Sequence, residues 1–387
     1  MKKIFFSFVA LAALAACTKT EVAYDDTPQE IGFTAVAGNM TKSPVSGTAY
    51  PTTLNMYVNA FVNKDEITAD TPDYFANVKF VNRKNNENNP TDKWGGDPAQ
   101  YWPNTTALKF SGYSISGNIG ESNKGTYNPK TDVLSITGYE PGTSSAEGAN
   151  DLMWFPATTP YNKSTGNNGV TAEMYHTCAW ITFLVQGDAV TSLEGNKYTI
   201  TSLKINGVNM KGNVTCSGTA VDESISLSNA KLKEFVKWTN LSNNGNPYVV
   251  TVYNGVSLVG TYTPATPAGG ETPGIPESYS PKNIETGVAD DAETSPKNEA
   301  TVGGNIVVIP QDPGTIDLAW SYKSPTGDTI SDAATGLSLA LGSGLAWEPG
   351  KHYVYTITIK ANEILIAPTP VEWVAGDMTG NGGVTVE

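Results

Sequence analysis

Histidine is nearly missing from this chain. Its two copies, His176 and His352, fall in segments assigned to different domains, so neither a zinc cluster nor a Ser-His-Asp triad finds its members together. Cysteine is as scarce, with three in 387 residues. No C-x-x-C, G-x-S-x-G or Walker loop occurs, which removes dithiol redox, hydrolase-elbow and nucleotide chemistry. The run Asp377 to Gly383 has the Asp, Asn and Gly of a calcium loop but lacks its acid count and closing glutamate, and reads as a turn. No catalytic residue, metal or cofactor is therefore expected. Positive charge is also short: 24 Lys and Arg stand against 38 Asp and Glu, a net charge of −14. Phosphate backbones reward clustered positive charge, so a nucleic-acid partner is excluded. Helical periodicity is sparse, and no apolar run approaches the ~20 residues that span a bilayer.

One short apolar run is informative. Ile4 to Ala13 follows Lys2 and Lys3 and leads into Leu14-Ala15-Ala16-Cys17. A charged start, a brief apolar stretch and small residues before a cysteine mark a lipoprotein signal peptide. Residues 1–16 are read as that signal, and Cys17 as the lipidated first residue of the mature chain. Several acyl chains, at ~0.8 kcal/mol per buried CH2, hold a protein on a membrane almost permanently. Residues 17–29, polar and without a period, read as a flexible tether.

The remainder, about 370 residues, suffices for two or three cores. Glycine (38), proline (24) and tyrosine (18), with abundant Thr, Val and Asn, belong to strands and turns. Ile31, Phe33 and Ala35 alternate on one face of a first strand, which runs into a turn-rich segment holding Lys42, Ser43 and Pro44. Further strands are predicted at 54–62, 78–82, 107–113, 133–137, 151–154 and 172–186, and a second series at 198–208, 248–263, 305–309, 315–322 and 353–360. Short strands punctuated by turns indicate an all-β chain of two sandwiches, residues 30–187 and 188–387. Residues 264–304, with seven acids against two lysines, cannot bury a core and read as a mobile insertion in the second sandwich. Cys178 and Cys216 are compatible with a disulfide or with two buried thiols.

Apolar pieces are left over at the end, around Ile364, Ile366, Val371 and Trp373, and again at Val384 to Glu387. Either they close their own domain or they are offered to another chain. The eight tryptophans admit a second reading, a surface glycan-binding lipoprotein, which requires a solvent-facing aromatic row; buried indoles oppose it.

In order along the chain, several short matches carry a resemblance. They are the box at Cys17, the first strand ending in Thr41-Lys42, Tyr101-Trp102-Pro103 before Leu108-Lys109-Phe110, and Asp151-Leu152-Met153. Then come Met174-Tyr175-His176 through Ile181-Thr182-Phe183, Ile200 to Ile205, Val308 to Gln311, Pro349 to Tyr355 and Val371-Glu372-Trp373. Together they resemble the fimbrillin family, lipoprotein subunits of type V pili, with Met174 and Lys42 departing from its usual aromatic and arginine.

The resemblance implies two transthyretin-like sandwiches in tandem and residence as an outer-membrane lipoprotein and fimbrial subunit at the cell surface. It also implies a trypsin-like maturation protease cutting between Lys42 and Ser43, and polymerisation with other pilus subunits by strand exchange, for adhesion and colonisation. The donor would be the segment from about 362 to 387, with Ile364, Ile366, Val371 and Trp373 filling the neighbour's groove. A stalk or general subunit fits this tail better than a tip or an anchor.

Overall fold

Alternation of apolar and polar side chains decides most of the local structure. The computed structural model describes residues 27–37, 54–83, 93–115, 124–141, 151–187, 198–219, 224–242, 248–250, 256–258, 261–263, 278–280, 301–323, 328–359 and 364–372. The first half carries β1 (Gly32–Ala37), β2 (Met56–Val62), β3 (Phe75–Asn82), β4 (Trp94–Asp97), β5 (Leu108–Ile115), β6 (Thr126–Asn128), β7 (Val133–Tyr139), β8 (Leu152–Phe155) and β9 (Val170–His176). The second carries β10 (Ala179–Gly187), β11 (Tyr198–Asn206), β12 (Lys211–Ser217), β13 (Val236–Ser242), β14 (Tyr248–Val250), β15 (Val256–Leu258), β16 (Thr261–Thr263) and β17 (Ser278–Ser280). It ends with β18 (Thr301–Val308), β19 (Thr315–Lys323), β20 (Thr329–Ser338), β21 (Lys351–Ile359) and β22 (Ile364–Glu372). In β9, Val170, Ala172 and Met174 are buried while Thr171 and Glu173 are exposed, and β12 and β21 alternate the same way. The all-β expectation therefore holds.

Seven strands close on themselves in the order β1-β4-β3-β2-β5-β8-β9. Their interior is a core of Ile31, Phe33, Val58, Phe80, Phe110 and Met174, among others. A four-stranded sheet, β13-β12-β7-β6, packs beside it over a second core that includes Trp154, Tyr175, Cys178, Cys216 and Phe235. The third core lies between the sheets β18-β10-β21-β22 and β14-β11-β19-β20, with β15 pairing the other end of β11. Here Trp347 donates through Nε1 to the Tyr355 hydroxyl at 2.8 Å, which donates to the Leu339 carbonyl at 2.8 Å. A buried indole N–H thus finds a partner, as burial demands.

Sheet membership departs from the expected division at residue 187 in two places. The strand read as 172–186 breaks at Thr177 and Cys178, and β10 belongs to the second sandwich, running parallel to β21 from Trp180 opposite His352 to Gly187 opposite Ile359. The break has its own bonds: Thr177 donates from both N and Oγ1 to the Leu152 carbonyl, and the Cys178 carbonyl accepts from Gly350 N. Conversely β12, beyond residue 188, pairs with β7 of the first half, because Val214 and Cys216 bury against Leu134 and Ile136. The expected insertion 264–304 is also cut short, since β18 begins at Thr301 and pairs with β10. Except for 278–280, the rest of that insertion lies outside the described residues, as do the signal at 1–16 and most of the tether at 17–29.

His352 sits in the wall of the second sandwich, its ring stacked on Trp180 at 3.7 Å and its Nε2 2.9 Å from Thr182 Oγ1. Burial disfavours the imidazolium and lowers its pKa from 6.5 to about 3. Below 6.5 the unfolded chain takes up a proton that the folded chain refuses, so stability falls as pH drops from about 6.5 toward about 3. Urea unfolding of His352→Phe, which keeps an aromatic on Trp180, is expected to show a flatter slope across that window than the unaltered chain.

Candidate functional site

The first strand fills a slot between β4 and β9 and closes their sheet. The strand's apolar face comes from Ile31 and Phe33, both fully buried, with Ala35 packed at the margin. Phe33 enters an aromatic cage, edge-on to Phe80 at 4.9 Å and Phe110 at 5.3 Å, with Phe155 at 6.2 Å. Such edge-to-face pairs add about 0.5–1.5 kcal/mol each beyond burial.

Two neighbours hold the backbone. On one side β1 runs antiparallel to β4, Gly32 opposite Gly95 and Phe33 opposite Trp94. Just before it, Ile31 N donates to the Gln100 carbonyl at 2.7 Å and Trp102 N to the Gln29 carbonyl at 2.9 Å. On the other side it runs parallel to β9, from Phe33 opposite Val170 to Ala37 opposite Met174. The approach is close where β9 begins. Gly169 has φ +100, and a Cβ there would stand 3.1 Å from Thr34 Cγ2 and 3.3 Å from Thr34 N, so glycine is needed for both reasons.

Charge closes the entrance. Arg83, the only arginine in the sequence, lies 2.6 Å from Glu30 Oε1 through Nη1, and its Nη2 donates to the Gly96 carbonyl. Lys163 Nζ reaches the Thr27 carbonyl at 2.9 Å, and Gln29 Nε2 reaches Asn167 Oδ1 at 3.2 Å. Arg83 and Glu30 were not singled out by sequence reasoning; the solitary arginine was the available signal.

The anticipated site residues fall unevenly. Cys17, Lys42, Ser43 and Trp373 lie outside the described residues. Ile364 and Ile366 lie on β22, which pairs antiparallel with β21 and forms the edge of its sheet. Both are half-buried against the third core, while Leu365 is exposed. Val371 is opposite His352 in the same ladder. Cys178 and Cys216 are free buried thiols, and burial pushes both well above the ordinary thiol range. His176 meets Asp151 at 2.8 Å in the interior, whereas the side-chain partners of His352 are Trp180 and Thr182. Of the tryptophans, Trp94, Trp102, Trp154, Trp180, Trp320 and Trp347 are buried and Trp238 is half-buried, so no solvent-facing indole row exists among the described residues.

A profile of the fimbrillin-like family matches residues 47–373, and one of the prokaryotic membrane lipoprotein lipid attachment site matches residues 1–18. A crystallised fimbrial protein from Bacteroides vulgatus is 13% identical with a TM-score of 0.51, aligning 89% of this chain with 100% of that one. A fimbrial assembly protein from Parabacteroides distasonis is 10% identical with a TM-score of 0.39, over 88% of this chain and 96% of that one. No curated protein matches the sequence.

The geometry sets an order of importance among the slot's contacts. Phe33→Ala empties a closed aromatic cage and is expected to cost about 3–5 kcal/mol in urea unfolding of the full-length chain. Arg83→Gln breaks a half-exposed ion pair and is expected to cost under about 1 kcal/mol. Equal losses would refute an apolar hold on the strand.

Proposed function

The chain belongs to the fimbrillin-like family, and from that membership we propose that it is a structural subunit of a type V pilus, exported as a lipoprotein, trimmed after its first strand and polymerised by strand exchange. It is a structural protein and not an enzyme. The observation that carries the proposal is that β1 completes a closed sheet with a buried apolar face although it lies at the very start of the fold.

The parts fit one sequence of events. The lipid attachment match ends at residue 18, beside Cys17, which supports tethering of the exported chain to the outer membrane. Lys42-Ser43 lies in sequence between the end of β1 at Ala37 and the start of β2 at Met56. A trypsin-like cut there severs β1 from everything it pairs with. Its departure exposes the backbone groups of β4 and β9 and an apolar slot, which another chain's strand fills by β-augmentation. The donor is the C-terminal segment 362–387 of a neighbouring subunit, in which Ile364, Ile366, Val371 and Trp373 supply apolar side chains. An edge strand such as β22 is held by one ladder and leaves its sheet more readily than an inner strand. This assembly fits a stalk or general subunit, with adhesion and colonisation as the role it serves. The glycan-binding alternative loses support from the buried indoles.

Two variants test the export and trimming steps separately. Cys17→Ala is expected to leave the precursor uncut and abolish labelling by a fatty-acid probe; normal maturation would refute lipidation. Lys42→Ala is expected to keep the monomer folded, with an unchanged urea midpoint, while SDS-resistant ladders disappear. Ladders of wild-type length from Lys42→Ala would overturn the trimming step.

A further inference from the structure

The slot imposes a pattern on any strand that fills it. Position 30 presents a carboxylate to Arg83, positions 31 and 33 point large apolar side chains into sites that are fully closed, and position 35 packs at the margin. Position 32 is freer than its glycine suggests. A Cβ on Gly32 meets only the Trp94 carbonyl, at the ordinary distance of 3.7 Å, so a side chain can leave the backbone there without a clash at its first carbon.

The backbone imposes a second pattern. Ile31 N–H points to Gln100, on the β4 side. Amides alternate sides along a strand, so those of residues 33, 35 and 37 point the same way. The described β4 pairing stops at Phe33, whereas the β9 pairing continues to Ala37. Amides 35 and 37 therefore face the β4 side beyond its described pairing, so a proline at either position breaks no described ladder bond.

Residues 363–370 read Glu-Ile-Leu-Ile-Ala-Pro-Thr-Pro. Laid over residues 30–37 in the same direction, they put an acid at 30, isoleucines at 31 and 33, leucine at 32 and prolines at 35 and 37. Resting on the strand-exchange reading above, we propose that the strand replacing β1 is residues 363–370 of a second copy of this chain. It enters parallel to the departed strand, with Glu363 against Arg83, and Ile364 and Ile366 in the places of Ile31 and Phe33.

Energetics agree with the register. In its own sheet β22 already turns Ile364 and Ile366 inward, but only half-buried. The same face enters the slot without inversion, and both isoleucines pass from half-buried to closed sites. An isoleucine underfills the cage of Phe80, Phe110 and Phe155 that a phenylalanine occupies now. Once Glu30 has left, Arg83 lacks its carboxylate, and an incoming acid at that position restores the pair.

A charge exchange tests the register. Full-length protein is cut with a trypsin pulse, and SDS-resistant ladders are quantified at a fixed time. Glu363→Lys and Arg83→Glu are each expected to lower the ladder yield about tenfold, and the double variant to restore it to within about twofold. Ile366→Phe is expected to raise the yield by filling the cage. Urea midpoints of the uncut monomers identify any variant that fails to fold; the rescue and the Ile366→Phe gain are readouts that misfolding does not produce. Single charge variants that ladder like the unaltered chain, or a double variant that stays as poor as the singles, would overturn the register. Ladders lost only on deleting 376–387 would assign the slot to the far tail, leaving strand exchange intact but refuting this donor. A cut chain that forms no ladder at all sinks both the exchange reading and the donor assignment.

Discussion

Seven strands close into one sheet only because β1 runs parallel to β9 on one side and antiparallel to β4 on the other. Closure leaves no edge, and an edge is what invites another chain. Without β1 two edges face a slot as wide as one strand, lined by Phe80, Phe110 and Phe155. Every other strand of the barrel is paired with its partners independently of β1, except at Gly95, Trp94 and the stretch 170–174. The dependence is therefore one-sided: the slot is shaped by the remaining six strands, and the first strand occupies it.

The remaining six strands are themselves braced from outside. β12 and β13 return from beyond residue 210 to pair with β7, and the core beneath them takes Trp154 and Tyr175 from β8 and β9. That core also receives Val307 of β18, which pairs with β10 of the second sandwich. The wall of β9 is thus packed on both faces, Ala172 and Met174 toward the barrel and Tyr175 toward the second core. A wall held in this way keeps its spacing when a strand beside it is exchanged, since close-packed interiors resist continuous deformation.

Legibility followed periodicity. The alternation at Ile31, Phe33 and Ala35 identified a strand that proves buried on one face. β20, Thr329–Ser338, had no such signal because most of its side chains face water. The stretch 172–186 reads as one strand because both of its halves are apolar; the bonds that break it at Thr177 come from Leu152 and Gly350, far away in sequence. The pairing of β7 with β12 is likewise a matter of which cores Val214 and Cys216 complete, and no local pattern carries that. At the slot, the apolar face of β1 was legible. The role of Arg83 was not, because an ion pair with Glu30, 53 positions away, leaves no periodic trace.

On the strand-exchange reading, covalent connection explains why a subunit keeps its own first strand until it is cut. A strand tethered through a short segment competes at an effective concentration of order millimolar, which a second copy at ordinary concentrations cannot match. β1 also holds the better side chain for the cage, phenylalanine against isoleucine at the same place. Tether and cage together therefore favour the closed monomer. Cutting between Ala37 and Met56 removes the first advantage and leaves only the second, which a high local density of donors on a membrane surface overcomes by mass action. Tether and better fit together then keep the uncut chain monomeric, and loss of the tether on cutting is what makes assembly depend on place.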